Sequence, residues 1–186
     1  MGRGFYEEFF RAFKQREIDI LVGTQLIAKG LDFPGVTLVG VVTADTSLNL
    51  PDFRAAERTY QLLTQVAGRA GRGNRPGQVI FQTYTPEHYS LLTAQHQDPE
   101  AFYRAELQNR QQWQYPPCWA MIRVVVSGLA EKPVQSAAEL LGRYLVKQLN
   151  RENERNAAAR LEPALELLGP TAAPMVKVRN NYRWHL

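Results

Sequence analysis

Val36-Thr37-Leu38-Val39-Gly40-Val41-Val42 is the stretch on which the fold turns. It is apolar at odd and even positions alike, so a strand made from it is apolar on both faces. Strands of a parallel sheet covered by helices have this character. Upstream, Ile18-Asp19-Ile20-Leu21-Val22 is a second β-branched run, ended by Gly23 and Thr24, and it reads as a buried strand. Downstream, residues 78–84 read as a third strand. Between them, residues 43–50 read as a loop. Pro51-Asp52 then opens a long helix, with Asp52 as its cap and Phe53, Ala56, Tyr60, Leu63 and Ala67 on one face. Strands separated by crossovers specify an α/β layer with a parallel sheet. Such a sheet needs helices on both faces. The preceding residues offer one, an amphipathic helix over 4–16 carried by Phe5, Phe9, Phe10 and Phe13. The chain is therefore expected to be truncated at its start.

Beyond Pro86 the pattern changes. Residues 86–96 and 98–113 read as helices, the second with Phe102, Leu107 and Trp113 as apolar positions and Tyr115-Pro116-Pro117 as its stop. A strand over 121–127 follows, then a helix from Lys132 to about Arg151. Residues 150–160 read as helix extension or linker, and residues 167–170 as a turn. Two hairpin strands, 175–179 and 183–186, are expected around Asn180-Asn181. The β-α-β-β order suggests a small α+β domain of ferredoxin-like character, itself cut short. The expected organisation is residues 1–97, a connecting helix over 98–115, and a second domain over 116–186.

Composition narrows the function classes. The longest apolar stretches are too short to span a bilayer, and acids stand where a signal peptide needs an apolar core. A cytoplasmic protein without a membrane partner is the expectation. The single cysteine, Cys118, excludes an internal disulfide or a cysteine-rich metal cluster; after Pro-Pro it reads as a small apolar filler. His88, His96 and His185 lack metal-ligand spacing, so surface or capping roles are expected and no metal site. Residues 1–103 carry 10 Lys/Arg and 11 Asp/Glu, whereas residues 104–186 carry 12 and 7, a net of +5. That asymmetry fits either a polyanion partner or a solvated basic surface.

Two motifs carry chemistry. Gln65-Val66-Ala67-Gly68-Arg69-Ala70-Gly71-Arg72-Gly73 places two arginines three residues apart at a helix exit. A guanidinium bonds phosphate oxygens bidentately, and an arginine finger is worth roughly 10³–10⁵ in phosphoryl-transfer rate. Arginines near a helix C-terminus also complement its dipole, but the full Gln-x-x-Gly-Arg-x-Gly-Arg pattern favours the phosphate reading. Gly68, Gly71 and Gly73 permit close backbone approach. The second motif, residues 23–34, leaves a strand with Thr24, Gln25, Lys29, Gly30 and Asp32 in one loop. Such a loop can contact a nucleic-acid backbone on one side and a nucleotide on the other. Arg54 and Arg58, one helical turn apart, are expected to pair with Asp52 or Glu57.

In this order the two motifs resemble motifs V and VI of superfamily 2 helicases. With Pro51-Asp52-Phe53-Arg54-Ala55-Ala56-Glu57-Arg58, Gln82-Thr83-Tyr84-Thr85-Pro86-Glu87-His88, Tyr115-Pro116-Pro117 and Tyr182-Arg183-Trp184-His185-Leu186, the chain resembles the PriA-type family (primosomal protein N′) of replication-restart DNA helicases over nearly its whole length. The resemblance implies an ATP-dependent 3′→5′ DNA helicase acting in replication restart and primosome assembly. It implies the later part of a RecA-like second lobe followed by the start of a C-terminal domain that meets DNA and single-strand-binding protein.

By position, Arg72 and Arg69 are the motif VI arginines, with Arg72 as the finger and Gln65 as a polar contact. Gly30, Asp32, Gly68 and Gly71 couple to the nucleotide; Thr24, Gln25 and Lys29 contact DNA. Arg179, Arg183 and Trp184 are candidates for single-stranded DNA, although a hairpin with core aromatics and exposed bases predicts the same composition. ATP and Mg²⁺ belong to the family's intact protein, and zinc to a cysteine-rich region absent here. No Gly-x-x-x-x-Gly-Lys-Ser/Thr and no Asp-Glu-x-His occur. A C-terminal fragment of the family, binding none of these groups and inactive alone, is therefore expected. The alternative is a non-enzymatic DNA- or partner-binding module that uses the basic half.

Overall fold

The computed structural model describes residues 3–24, 35–71, 76–158 and 165–186. In order the elements are α1 (Arg3–Lys14), β1 (Leu38–Val41), α2 (Asp45–Leu48), α3 (Ala55–Ala67), β2 (Gln78–Phe81), α4 (Tyr89–His96), α5 (Pro99–Gln112), β3 (Val125–Gly128), α6 (Glu131–Ala158), β4 (Thr171–Val178) and β5 (Asn181–His185). They fall into two compact units, Met1–Trp119 and Ala120–Leu186.

In the first unit β1 and β2 are parallel, with Leu38 opposite Gln78 and Val41 opposite Phe81. Val41 and Phe81 pack on a core of Ala44, Tyr60, Leu63, Leu91, Ala94 and Phe102, drawn largely from α3, α4 and α5. The rings of Tyr60 and Phe102 lie parallel at 4.0 Å between centroids, which fastens α5 onto α3. α5 starts where Asp98 accepts the Ala101 N–H at 2.9 Å and Pro99 fills the first turn. The opposite face of the strands, Leu38 and Ile80, stays half exposed.

Several expectations need correction. Ile18–Val22 is not a strand: it has no ladder, and Ile20 and Val22 are 78% and 87% exposed. A β-branched run becomes a strand only when an edge pairs with it, and β1 pairs with β2 alone among the described residues. Residues 45–48 form a helical turn where a loop is expected. The long helix begins at Ala55, later than Pro51-Asp52, and Asp52 does not cap it. Instead its Oδ1 accepts the Arg54 N–H at 3.0 Å in a local turn. The buried stripe of α3 accordingly runs through Ala55, Thr59, Tyr60, Leu63 and Val66. Trp113 ends α5 exposed, and Cys118 is exposed, not a filler.

In the second unit the expected β-α-β-β order holds. The sheet order is β3-β5-β4, antiparallel throughout. α6 runs on through the polar stretch to Ala158 and buries Val134, Ala138 and Gly142. A Cβ at Gly142 would stand 3.0 Å from Pro170 Cδ, so glycine there lets neighbouring chain approach closely. β3 is shorter and later than expected, because Met121 and Ile122 find no partner strand and stay exposed. The hairpin turn is Arg179-Asn180, with φ of 47° and 65°, closed by Val178 opposite Asn181. It lies one residue earlier than the Asn-Asn pair suggests. Two consecutive left-handed residues suit a two-residue turn that matches strand twist.

Candidate functional site

The glycine-arginine stretch leaves the C-terminal end of α3. Gln65 and Gly68 are exposed and Arg69 is half-buried. The chain turns at Gly71, φ 75°, whose N–H donates to the Val36 carbonyl at 3.2 Å. Gln78 N–H donates to the Thr37 carbonyl at 2.8 Å. The arginine-bearing exit is therefore tied to the amino ends of β1 and β2. A Cβ on Gly71 would stand 2.6 Å from Gly77 N, and one on Gly77 2.2 Å from Gly71 N. These two glycines let one backbone cross another. Gly68 is different: a Cβ there would meet only carbonyl oxygens at 3.6 and 3.7 Å. Arg72 lies outside the described residues, as do Gln25, Lys29, Gly30 and Asp32. Thr24 is described and exposed.

At the other end of the strands stands a buried carboxylate for which the sequence carried no signal. Asp45 accepts from Thr83 Oγ1 and Thr85 Oγ1, each at 2.9 Å, and from the Tyr84 N–H at 3.1 Å. Burial pushes its carboxyl up, but the hydrogen bonds from Thr83, Thr85 and Tyr84 outweigh burial and hold it below the ordinary range. Beside it Thr43 has φ 61°, an outlier for a β-branched residue.

A second network joins α3, α4 and α5. Arg110 lies between Glu57 at 2.6 Å and Glu106 at 2.7 Å, and also donates to the Pro116 carbonyl at 2.9 Å. Glu106, buried on α5, accepts the Tyr89 hydroxyl at 2.6 Å. Burial and that acceptor push the Tyr89 hydroxyl well above its usual range. Phe53 stacks on Tyr115 at 5.2 Å, with the Arg54 and Arg110 guanidinium groups each 5.2 Å from its centroid. Asp52 pairs with both Arg54 and Arg58, as expected, at 3.1 and 3.0 Å. The hydrogen bond from Arg54 holds the Asp52 carboxyl below its ordinary value. Glu57 is thereby released to Arg110, a pairing across 53 residues of sequence that local spacing cannot reveal.

In the second unit Arg179 is exposed at the hairpin turn. Arg183 and Trp184 are neighbours on β5 and so face opposite sides of the sheet. Trp184 shares its side with Leu186, whose Cδ2 lies 3.5 Å from where a Cβ on Gly142 would stand, and its indole Nε1 is enclosed. Lys177 Nζ sits 4.7 Å over the Tyr182 ring. Among the described residues no group of three His, Cys, Asp or Glu side chains could hold a metal ion. Nor is any described helix long and apolar enough to cross a membrane.

Residues 6–74 match the helicase conserved C-terminal domain, so the first unit carries the second, RecA-like lobe of a helicase in mixed α/β form. Residues 111–186 match the primosomal protein N C-terminal domain. The chain is 44% identical over 182 residues to the replication restart protein PriA of Bacillus subtilis, covering 98% of this chain and 21% of that protein. It is 40% identical over 184 residues to its counterpart in Synechocystis, with 99% and 21% covered. To that of Treponema pallidum it is 39% identical over 183 residues, with 98% and 26% covered. The chain belongs to the PriA family. It spans about a fifth of the length of the first two of these relatives.

Proposed function

We propose that this chain supplies motifs V and VI of the second motor lobe, together with part of the C-terminal domain, to an ATP-dependent 3′→5′ DNA helicase of replication restart. The observation that carries the reading is the ordered pair of motifs inside residues that match the helicase C-terminal domain. Arg72 serves as the finger on the γ-phosphate, with Arg69 and Gln65 beside it. Gly68 and Gly71, in the exit that carries them, couple to the nucleotide. Gly30 and Asp32 couple the nucleotide to the DNA held by Thr24, Gln25 and Lys29. An arginine just past the C-terminal end of a helix, among glycines, fits a contact to phosphate. The described residues offer no carboxylate set for Mg²⁺, and one cysteine cannot build a zinc cluster. In this reading the phosphate loop for ATP, the Mg²⁺ ligands and the zinc ligands belong to other parts of the intact protein. This chain alone is expected to turn over no ATP, since its sequence has no Gly-x-x-x-x-Gly-Lys-Ser/Thr. The partners in this reading are forked or single-stranded DNA, single-strand-binding protein and primosome proteins.

The test is Arg72→Ala in a protein that also contains the phosphate loop. DNA-stimulated ATP hydrolysis is expected to fall by roughly 10³-fold or more, with DNA binding near normal. Unchanged turnover would remove the assignment.

A second reading rests on the net charge of +5 beyond residue 103 and on exposed Lys177 and Arg179. Here the chain is a DNA-binding module without catalysis of its own. It predicts salt-sensitive binding to single-stranded DNA by the chain alone. A flat titration at low salt ends it.

A further inference from the structure

Four hydrogen bonds to Asp45 fix three residues. The hydroxyls of Thr83 and Thr85 and the N–H of Tyr84 all converge on this buried carboxylate, and the Thr85 N–H donates to Thr83 Oγ1 at 3.0 Å. The partner segment is held as well, since the Ala44 N–H donates to the Gln82 carbonyl at 3.0 Å. At the centre of this anchorage the Tyr84 side chain is 87% exposed. A rigid mount of this kind adds nothing to the packing of the ring it carries. It lies just beyond Phe81, at the carboxyl end of a parallel pair of strands, the edge at which open α/β sheets receive ligands.

We infer that Tyr84 is a stacking platform for an unpaired base of single-stranded DNA. This rests on the DNA-acting reading above. An aromatic face binds any base by stacking, and a backbone already fixed lowers the entropy lost when the base arrives. The threonine hydroxyls are consumed by Asp45, which leaves the ring as the recognising group. Residues 83–88 contain no lysine or arginine and include Glu87, so no cation adjacent in sequence draws the ring to phosphate, and the contact is assigned to a base. It therefore adds affinity without releasing counterions, and its signature differs from that of a basic contact.

The test is fluorescence anisotropy of the chain on a labelled oligothymidylate across a salt series. Tyr84→Ala is expected to weaken binding roughly 5- to 150-fold, the loss for one stacked base. The slope of log affinity against log salt should stay unchanged, and Tyr84→Trp should bind like wild type. An oligonucleotide with an abasic site at the contacted position should lose the same factor with wild type and nothing further with Tyr84→Ala. An unchanged melting temperature in Tyr84→Ala excludes misfolding, as the exposed ring requires. If wild type binds and Tyr84→Ala binds equally well, the platform is overturned while the DNA-acting reading stands. If the variant's loss comes with a shallower salt slope, the contact is electrostatic and the platform is again overturned. If wild type does not bind at all, the platform and the reading of this chain as a DNA-binding module both fail, while the motor-lobe reading is left to its Arg72→Ala test.

Discussion

Arg110 and Glu57 meet at 2.6 Å across 53 residues of sequence, and this pair ties α3, the helix that leads into the glycine-arginine stretch, to α5. The Arg110 side chain is 13% exposed and also serves Glu106 and the Pro116 carbonyl. Burial alone would make its guanidinium easier to deprotonate, but the two carboxylates outweigh that and raise its pKa. Arg110→Met keeps the aliphatic stem and leaves Glu106 buried with only the Tyr89 hydroxyl. The expected loss is roughly 2–4 kcal/mol, between the limits for surface and buried pairs. Urea denaturation checks it. A loss below half a kcal/mol would mean that the pair is decorative. Glu57→Gln, at the more exposed end, should cost less.

The two crossing glycines give a second prediction. Gly77→Ala places a methyl 2.2 Å from Gly71 N, and Gly71→Ala adds a side chain at φ 75°. Each should lower stability by about 1–3 kcal/mol. Gly68→Ala meets only ordinary contacts at φ −68°, so its stability should hold or rise by about 0.5 kcal/mol. Thermal melts of the three variants separate them. If Gly68→Ala then lowers ATP turnover in the phosphate-loop-containing protein, Gly68 serves the nucleotide. If turnover holds as well, Gly68 is dispensable to both fold and chemistry.

Local chemistry was legible in the sequence, and long-range partnership was not. Asp98-Pro99 announces the start of α5, Tyr115-Pro116-Pro117 its end, and Asp52 its own arginines, because each signal lies within a few residues of its effect. Ile18–Val22 carries the strand pattern as clearly as Val36–Val42. Only the latter has a neighbour to pair with among the described residues, and pairing is not a property of the run itself. Glu106 falls on an apolar face, where a helical-period reading would put a hydrophobe. Its burial depends on Tyr89 and Arg110, which no spacing within α5 predicts. Asp45 needs a strand that begins more than thirty residues later. The glycine-arginine stretch shows its arginines in the sequence, and the structure adds that the turn at its second glycine, Gly71, is shaped by backbone crossing with Gly77.

Acid should destabilise the first unit in two separate windows. His88 caps α4 by accepting the Ser90 N–H at 3.2 Å on Nδ1. Burial holds its pKa below the ordinary value, against the opposing pull of Glu106. The folded chain therefore binds this proton less readily than the unfolded chain. The stability contributed is fully present above about pH 6.5 and is lost as pH falls below that towards the lowered folded value. Asp45 and Asp52, with lowered pKa values, contribute stability that is present above about pH 4 and lost as pH falls further. His88→Asn keeps an N-capping acceptor without titrating. In melts from pH 7.5 to 3 it should flatten the upper window and leave the lower one in place. An upper limb as steep as that of wild type would assign it to another group.

Arg179 separates a structural hairpin from a DNA-binding one. Its φ of 47° is unfavourable for any residue with a Cβ, and glycine would adopt it freely. If the position served the fold alone, arginine would be a poor occupant. Arg179→Gly relieves that strain, and the melting temperature should hold or rise. The same change removes an exposed charge at the tip of a hairpin that carries Lys177 and no acid. Affinity for single-stranded DNA should then fall and the salt slope should drop by about 0.7, the value for one phosphate contact. Arg179→Lys should restore most of the slope, and Arg183→Ala, on the strand body, should lower it independently. Binding that is untouched in Arg179→Gly, with its salt slope intact, would confine this turn to a structural role and move the DNA surface of the second unit elsewhere.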